Sequence, residues 1–99
     1  MNIKEELQLN DENAVVLPVR RSDKRNILAI GLKKGQVFKK HKTSLVTTLI
    51  VLQGKIEFVI EENGETHELQ ALDVFEVPCD IYHKVKALEE SIFVLNQEK

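Results

Sequence analysis

His41 and His83 are the residues whose chemistry points most directly to a functional site in this chain of 99 residues. Imidazole is a common metal ligand, and it also exchanges protons near neutral pH. Two imidazoles alone bind a divalent ion such as Zn, Ni, Fe or Mn only weakly. Catalytic zinc usually has three protein ligands, and non-haem iron takes two histidines and a carboxylate. The pair therefore needs further ligands before it can form a strong metal centre.

Few other side chains could complete such a site. Cys79 lies four residues before His83, and its thiolate would bind zinc strongly. It follows Pro78 in a predicted turn, however, and a lone cysteine is more typical of a buried structural thiol, which we expect here. His67 falls in a predicted hairpin and is more typical of a structural histidine. Because the sequence has no Gly-x-Ser-x-Gly motif and no glycine-rich phosphate loop, we assign no catalytic residue.

The composition excludes several classes of function. The net charge is −2, so the whole chain has no electrostatic footprint for nucleic acid or an anionic membrane surface. No apolar run approaches the length that spans a bilayer. The single cysteine excludes an internal disulfide, and the first residues do not resemble a signal peptide, so we expect a cytoplasmic protein. A local basic cluster is more typical of a solvated loop than of a phosphate-binding patch. Its members are Lys33, Lys34, Lys39, Lys40 and Lys42.

The elements that must position these residues are short β-strands. Nine apolar or alternating segments recur at regular spacing with no amphipathic helix, which is typical of a β-sandwich or barrel. We predict one domain at residues 14–99, preceded by an arm at residues 1–13 that is either loosely held or forms one helical turn. The predicted strands are Ala14–Val19, Asn26–Leu32, Gln36–Lys40, Val46–Gln53, Lys55–Glu61, Glu65–Leu69, Leu72–Val77, Ile81–Ala87 and Ser91–Asn96.

Two of these segments allow finer predictions. The continuous apolar character of Asn26–Leu32 indicates burial on both faces. Asn63-Gly64 fits a two-residue type I′ turn, which would place Ile60 beside His67 and Phe58 beside Leu69.

The spacing of glycine, histidine and proline in the middle of the chain resembles the small single-domain cupins. Gly35, His41 and Gly54 match the first cupin motif, and Pro78 and His83 match the second. Asp80 replaces the second glycine of that motif, and Asp73 stands where these proteins usually carry a Gly-Asp pair. The resemblance implies an all-β fold, a double-stranded β-helix or RmlC-like jelly-roll barrel made of two antiparallel sheets.

The resemblance also implies a metal site, which this sequence matches only in part. The metal of the family is held by three histidines and a glutamate, and His41 and His83 fall on two of those positions. Thr43 and Thr47 occupy the other two. A threonine hydroxyl is neutral near pH 7 and brings no charge to offset a dication. The metal motif is therefore degenerate.

These observations favour a non-catalytic barrel that binds a small organic molecule or has a structural role, with no bound cofactor. In that hypothesis His41, Thr43, Thr47 and His83 form the polar floor of a ligand pocket, and Tyr82 lies at its mouth. The alternative is a metal-dependent cupin enzyme of isomerase or dioxygenase type that uses His41 and His83 with a reduced ligand set. A third hypothesis is a ligand-responsive partner of another protein.

The predicted strands also suggest how the chain associates. Ala14–Val19 and Asn26–Leu32 would leave backbone groups that a partner strand could pair with, so we predict a homodimer.

Overall fold

The computed structural model describes all 99 residues and contains nine β-strands and one short helix, as the pattern of segments predicts. The helix α1 is Ile3–Glu6. The strands are β1 Val15–Arg21, β2 Arg25–Leu32, β3 Val37–His41, β4 Val46–Gln53, β5 Lys55–Ile60, β6 Thr66–Gln70, β7 Val74–Val77, β8 His83–Ala87 and β9 Ser91–Glu98. No helix is long and apolar enough to cross a bilayer.

The strands form two antiparallel sheets that pack face to face, which confirms the all-β double-stranded β-helix. The five-stranded sheet has the order β1-β2-β9-β4-β7, and the four-stranded sheet has the order β3-β8-β5-β6. Alternate residues of each strand face the space between the sheets. In β5 these residues are Ile56, Phe58 and Ile60, and they meet Leu49, Phe93 and their neighbours from the opposite sheet in one hydrophobic core.

Two predicted strands begin later than the apolar pattern indicates, because the backbone before them turns. Leu72 has a φ of 77° and Asp80 a φ of 60°, both in the left-handed region that a strand cannot include. As a result β7 starts at Val74 and β8 at His83. Because Leu72 is apolar, the sequence pattern did not indicate the first of these turns.

The burial of β2 on both faces is confirmed in its second half. Ile30 and Leu32 face the main core, while Ala29 packs on the other side with Leu7 and Ile92. Leu7 follows α1, so the helical turn is the form that the arm takes. Gly31 lets the arm pack closely on β2, because a Cβ at this position would lie 2.5 Å from Leu9 Cδ2 and would displace that side chain.

The prediction that β2 would leave backbone groups free for a partner strand is wrong. Both edges of β2 are occupied, by β1 on one side and β9 on the other, so β2 leaves no free backbone groups for a partner strand. The order of the sheet depends on contacts between strands distant in sequence, which local patterning does not specify.

The predicted turn of the β5–β6 hairpin is also wrong. The register pairs Phe58 with His67 and Ile56 with Leu69, so the loop holds four residues rather than two. Of the two predicted turn residues, Asn63 and Gly64, only Gly64 has a positive φ, and a type I′ turn needs two such residues. The shift moves the pairing by two residues, which leaves Phe58, His67 and Leu69 on the face that was predicted.

Candidate functional site: a histidine pair and an adjoining groove

The two candidate histidines are brought together by the pairing of β3 with β8. These neighbouring antiparallel strands place His41 directly opposite His83 in the register. A β-bulge interrupts the pairing between Phe38 and His41, and bulges re-aim side chains locally. The result is a pair of imidazole rings whose centroids lie 4.3 Å apart.

Backbone carbonyl groups fix the orientation of both rings. His41 Nδ1 lies 2.8 Å from the Lys39 carbonyl oxygen, and His83 Nδ1 lies 3.1 Å from the Ile81 carbonyl oxygen. A carbonyl oxygen can only accept a hydrogen bond, so each Nδ1 must carry the proton and donate it. In the neutral rings each Nε2 therefore presents a lone pair.

The two Nε2 atoms face each other at 3.2 Å. Two lone pairs at this distance repel each other, and a proton or a metal ion between them would relieve the repulsion. If both atoms bound one metal at about 2.1 Å, the angle between them would be about 100°, within the range of common metal geometries. Nδ1–H groups held by backbone carbonyls are also typical of metal-binding histidines. The pair is thus suited to holding one cation.

Aromatic side chains pack against both histidines and shield His83 from solvent. The ring of Phe58 stacks on His83 at 4.8 Å, and Phe38 meets His41 edge-on at the same separation. His83 is only 3% exposed. Burial lowers the pKa of His83 below its usual value of 6.5, and the charge that His41 gains on protonation lowers it further. The Ile81 carbonyl opposes this shift, but His83 still favours the neutral form.

Thr43 and Thr47 lie on the loop and strand that follow β3, where the family places its other two metal ligands. The hydroxyls of both residues bond to the backbone of Leu45. Thr43 Oγ1 accepts from the Leu45 amide at 3.1 Å, and Thr47 Oγ1 donates to the Leu45 carbonyl at 3.0 Å. Gln97 Nε2 also approaches Thr47 Oγ1, at 3.5 Å. These hydroxyls stabilise the local backbone, and neither bonds to a histidine.

The donor set does not fit the four-ligand metal centre of the family. No three residues among His, Cys, Asp and Glu are grouped so that they could hold a metal ion. Cys79 is exposed, with Sγ 3.6 Å from the Leu45 carbonyl oxygen, so the expectation of a buried thiol is wrong. The turn around Asp80 carries the thiol to the surface. His67 pairs with Glu65 at 2.9 Å and packs on Phe75, the structural role expected for it.

A groove of about 330 Å³ lies beside the histidine pair, along the edge of β3 that has no partner strand. His41 and Phe38 form part of its wall, and Lys39 and Lys40 supply positive charge. The remaining lining residues are Asn13, Ala14 and Val37. Phe38 was not predicted as a site residue, because residues three apart on a regular strand point to opposite faces; the bulge between Phe38 and His41 brings their two rings together.

The basic cluster beside this groove is largely uncompensated. Lys33 pairs with Asp11, and that contact lowers the pKa of the Asp11 carboxyl. The other four lysines of the cluster form no ion pair within the chain: Lys34, Lys39, Lys40 and Lys42. The groove therefore combines an apolar wall with excess positive charge.

Tyr82 lies outside the histidine pair. It is 45% exposed, and its ring is contacted by the ammonium groups of Lys40 at 4.8 Å and Lys42 at 4.9 Å. It lines a second groove, of about 360 Å³, with Glu61, Glu62 and other polar residues. Neither groove is lined by Thr43, Thr47 or His83. The structure thus places the ring of His41 beside that of His83, whereas Tyr82 lines a different groove.

Solved structures of other proteins share this architecture over nearly the whole chain. An RmlC-like cupin from Desulfovibrio desulfuricans is 22% identical, with a TM-score of 0.88 over 99% of this chain and 93% of that one. A conserved protein with a double-stranded β-helix domain from Klebsiella pneumoniae is 19% identical, with a TM-score of 0.89 over 99% of this chain and 82% of that one. The chain has the cupin fold. KdgF from a Halomonas species is a further match, at 21% identity and a TM-score of 0.81 over 99% of this chain and 91% of that one.

These likenesses establish the cupin fold and nothing finer, because all three identities are below 25%. No protein-family model matches the sequence, and no curated protein matches it. The activity must therefore be argued from the histidine pair and the groove themselves.

Proposed function

We propose that this cupin-fold protein is a non-catalytic binding module that holds a small organic anion in the groove beside His41. The observation that carries the proposal is the groove itself, whose lining combines the apolar side chains of Val37 and Phe38 with the two basic residues Lys39 and Lys40. Its volume of about 330 Å³ falls at the lower end of the range for small-molecule sites. We further expect the protein to act in the cytoplasm.

The chemistry of the site favours binding over turnover. Thr43 and Thr47 supply no charge, and their hydroxyls already bond to the Leu45 backbone. His83 is buried against Phe58, so it has little access to a substrate in the groove. His41 is the one imidazole in the groove wall, and its Nδ1 donates to the Lys39 carbonyl rather than to a carboxylate that would make it a stronger general base.

Charge and shape together define the ligand class. The two lysines attract a carboxylate or a similar anionic head, and the apolar wall accepts a short hydrocarbon or aromatic body. We therefore expect amphiphilic monocarboxylates to bind better than fully polar anions of the same charge.

The test is a thermal-shift and calorimetric titration with benzoate, 3-phenylpropanoate and hexanoate, with inorganic phosphate as the polar comparison. We expect 3-phenylpropanoate to raise the melting temperature. The K39Q/K40Q variant should bind it at least tenfold more weakly, because the charged contacts of the carboxylate are lost. The matched control is K24Q, since Lys24 is an exposed lysine in the β1–β2 turn and does not line the groove.

Two results would overturn this proposal. One is the absence of saturable binding by any of the three carboxylates. The other is equal weakening by K24Q and by the double variant, which would indicate non-specific attraction.

A second candidate function rests on the facing Nε2 atoms at 3.2 Å, which favour one divalent metal held by His41 and His83. Such a metal would act as a Lewis acid toward a ligand in the groove. Elemental analysis of protein purified without a polyhistidine tag tests this candidate against the H41A/H83A variant. Near-stoichiometric metal in the wild type, lost in the variant, would support it and would reopen the enzyme hypothesis. A metal content that the two substitutions leave unchanged would remove it.

A further inference from the structure

Strand β3 forms one edge of the four-stranded sheet, and the groove follows that edge. Its only partner strand is β8, so the other side of the β3 backbone has no neighbour. All five residues of the strand, Val37–His41, line the groove. Successive side chains of a strand point to opposite faces, so a cavity over one face is lined by alternate residues. A cavity lined by every residue in turn borders the backbone edge itself.

The pairing with β8 shows which backbone groups of β3 point into the groove. The Gln36 carbonyl accepts a hydrogen bond from the Ala87 amide at 2.9 Å, so it is directed toward β8. Residues that bond to a given neighbour alternate along an antiparallel strand. Phe38 therefore also bonds to β8, whereas Val37 and Lys39 direct their N–H and C=O groups away from it. No loop or arm residue bonds to the backbone amides of Val37 and Lys39.

Both walls of the groove offer polar groups to an occupant. The Lys39 carbonyl accepts a hydrogen bond from His41 Nδ1 at 2.8 Å and keeps a second lone pair for another donor. In the opposite wall, Asn13 bonds through its backbone amide, and its carboxamide forms no hydrogen bond within the chain. The ion pair between Asp11 and Lys33 ties this part of the arm to the barrel. The groove is thus formed before any occupant enters it.

The side chains of β3 define what kind of strand can pair with this edge. Val37, which is 39% exposed, and Lys39 share one face of the strand, while the half-buried Phe38 lies on the other. Residues directly opposite each other in an antiparallel pair share a face and interact. A matching strand therefore carries an acidic residue opposite Lys39 and an apolar residue opposite Phe38.

We infer that the groove is a docking site for an extended acidic segment of a partner protein, which adds to the four-stranded sheet as a further strand beside β3. The inference rests on the proposed function, because the carboxylate that the groove attracts becomes a side chain of this segment. Main-chain hydrogen bonds to Val37 and Lys39 supply affinity, and the alternating side chains supply specificity.

The charge of the edge favours an acidic partner over a second copy of this chain. Pairing of two β3 edges would bring the lysines of both copies together, and like charges opposite each other destabilise a strand pair. Lysine on an edge strand is a common protection against such self-association. Lys39 and Lys40 have no ion pair within the chain, so an acidic segment meets them without competition.

The first test is calorimetric titration of the full chain with the peptide acetyl-Thr-Val-Glu-Val-Thr-amide. In an antiparallel pair its glutamate lies opposite Lys39, and its second valine lies opposite Phe38. We expect saturable binding. A methyl group on the glutamate amide nitrogen removes the donor to the Lys39 carbonyl and should weaken binding by about tenfold.

The matched control carries the methyl group on the amide nitrogen of the second valine. That amide points away from β3, so this peptide should bind as tightly as the parent. Equal weakening by the two methyl groups would mean that the peptide does not pair with the strand edge, and would overturn the inference.

The second test exchanges the charges of the predicted pair. K39E should weaken binding of the glutamate peptide several-fold, and acetyl-Thr-Val-Lys-Val-Thr-amide should bind K39E more tightly than it binds the wild type. K24E is the control, because Lys24 is exposed and lies outside the groove. If K24E changed the affinity for both peptides as much as K39E does, the attraction would be non-specific and the proposed pair would be wrong.

Titration with 3-phenylpropanoate separates this inference from the proposed function. Binding of 3-phenylpropanoate without binding of the peptide would retain the small-anion site and exclude strand addition. Binding of the peptide alone, with the expected effect of the methyl groups, would support strand addition and remove the small-molecule proposal. If neither bound, both would fall.

Sedimentation equilibrium with and without the peptide tests the remaining occupant. We expect the peptide to leave the oligomeric state unchanged. A dimer that dissociates when the peptide is added would show that a second copy occupies this edge, and would exclude a partner segment as its natural occupant.

Discussion

The two ends of the barrel interior differ in the side chains that line them, which are apolar at one end and polar at the other. At one end the facing strands contribute aliphatic and aromatic groups such as Ile56, Val51 and Phe93, all with no exposed surface. At the other end the positions that face the interior hold Thr47, His83 and His41, whose polar atoms need hydrogen-bond partners. The apolar end depends mainly on packing, with the buried hydroxyl of Ser91 bonded to the backbone, whereas the polar end depends on a few backbone carbonyl groups. The histidine pair thus belongs to the polar end of the barrel.

Phe58 joins the two ends, and its loss should have the largest effect on stability. It is 1% exposed and contacts both Phe75 and His83. Phe58→Ala should lower the free energy of unfolding by about 3–5 kcal/mol, because it removes apolar burial and leaves a cavity. Urea denaturation measures this loss, and Val16→Ala is the control, as an exposed residue outside the core. A loss below about 1 kcal/mol would mean that the two ends are not coupled through this ring.

The polar end should make stability depend on pH near neutrality. The lowered pKa of His83 means that the unfolded chain binds a proton more readily than the folded one just below pH 6.5. Stability should therefore be fully present above pH 6.5 and should fall as the pH drops toward the lowered pKa of the folded state. Thermal melts between pH 5 and 8 measure this dependence.

His83→Leu separates this effect from the other titrations of the chain. Leucine is apolar and similar in size, so the variant should stay folded and should show a smaller loss of stability between pH 7 and 5. An unchanged pH profile would assign the acid sensitivity to other groups.

The smallest effect on stability is expected at Thr47, which contributes a single hydroxyl to the polar end of the barrel. Thr47→Val keeps the shape of the side chain but removes the hydrogen bond to the Leu45 carbonyl. We expect a loss of about 1 kcal/mol in the free energy of unfolding, the usual net value of one such bond. Thermal and urea denaturation measure it, with Thr66→Val as the control, because Thr66 is an exposed strand residue. A loss of several kcal/mol would indicate that this hydroxyl organises the whole polar end.

The sequence predicted the fold well because its signals are local or motif-based. Alternation in Lys55–Ile60 and the β-branched run of Val46–Gln53 depend only on neighbouring residues, and both strands appear as predicted or within one residue. The resemblance to the cupins implied that His41 and His83 would lie close together, and their Nε2 atoms are 3.2 Å apart.

The remaining features depend on backbone geometry and long-range pairing, which residue types alone do not specify. Cys79 reaches the surface because the chain turns at Asp80, and Leu72 adopts a conformation that its side chain gives no reason to expect. The groove beside β3 exists because Asn13 and Ala14, distant in sequence, lie against that edge. Hydroxyls of Thr43 and Thr47 bond to the backbone between them rather than to a histidine, and a sequence comparison alone cannot show this.

The position of β9 has a consequence for how the chain folds. It follows every other strand in chain order, yet it lies in the centre of the five-stranded sheet, between β2 and β4. Until β9 inserts, the edges of β2 and β4 that later pair with it remain open to association with other chains. Contacts between distant parts of the chain make folding slow, so this open intermediate would persist during synthesis. A nascent chain halted before Ser91 should therefore depend on chaperones far more than the full-length protein does.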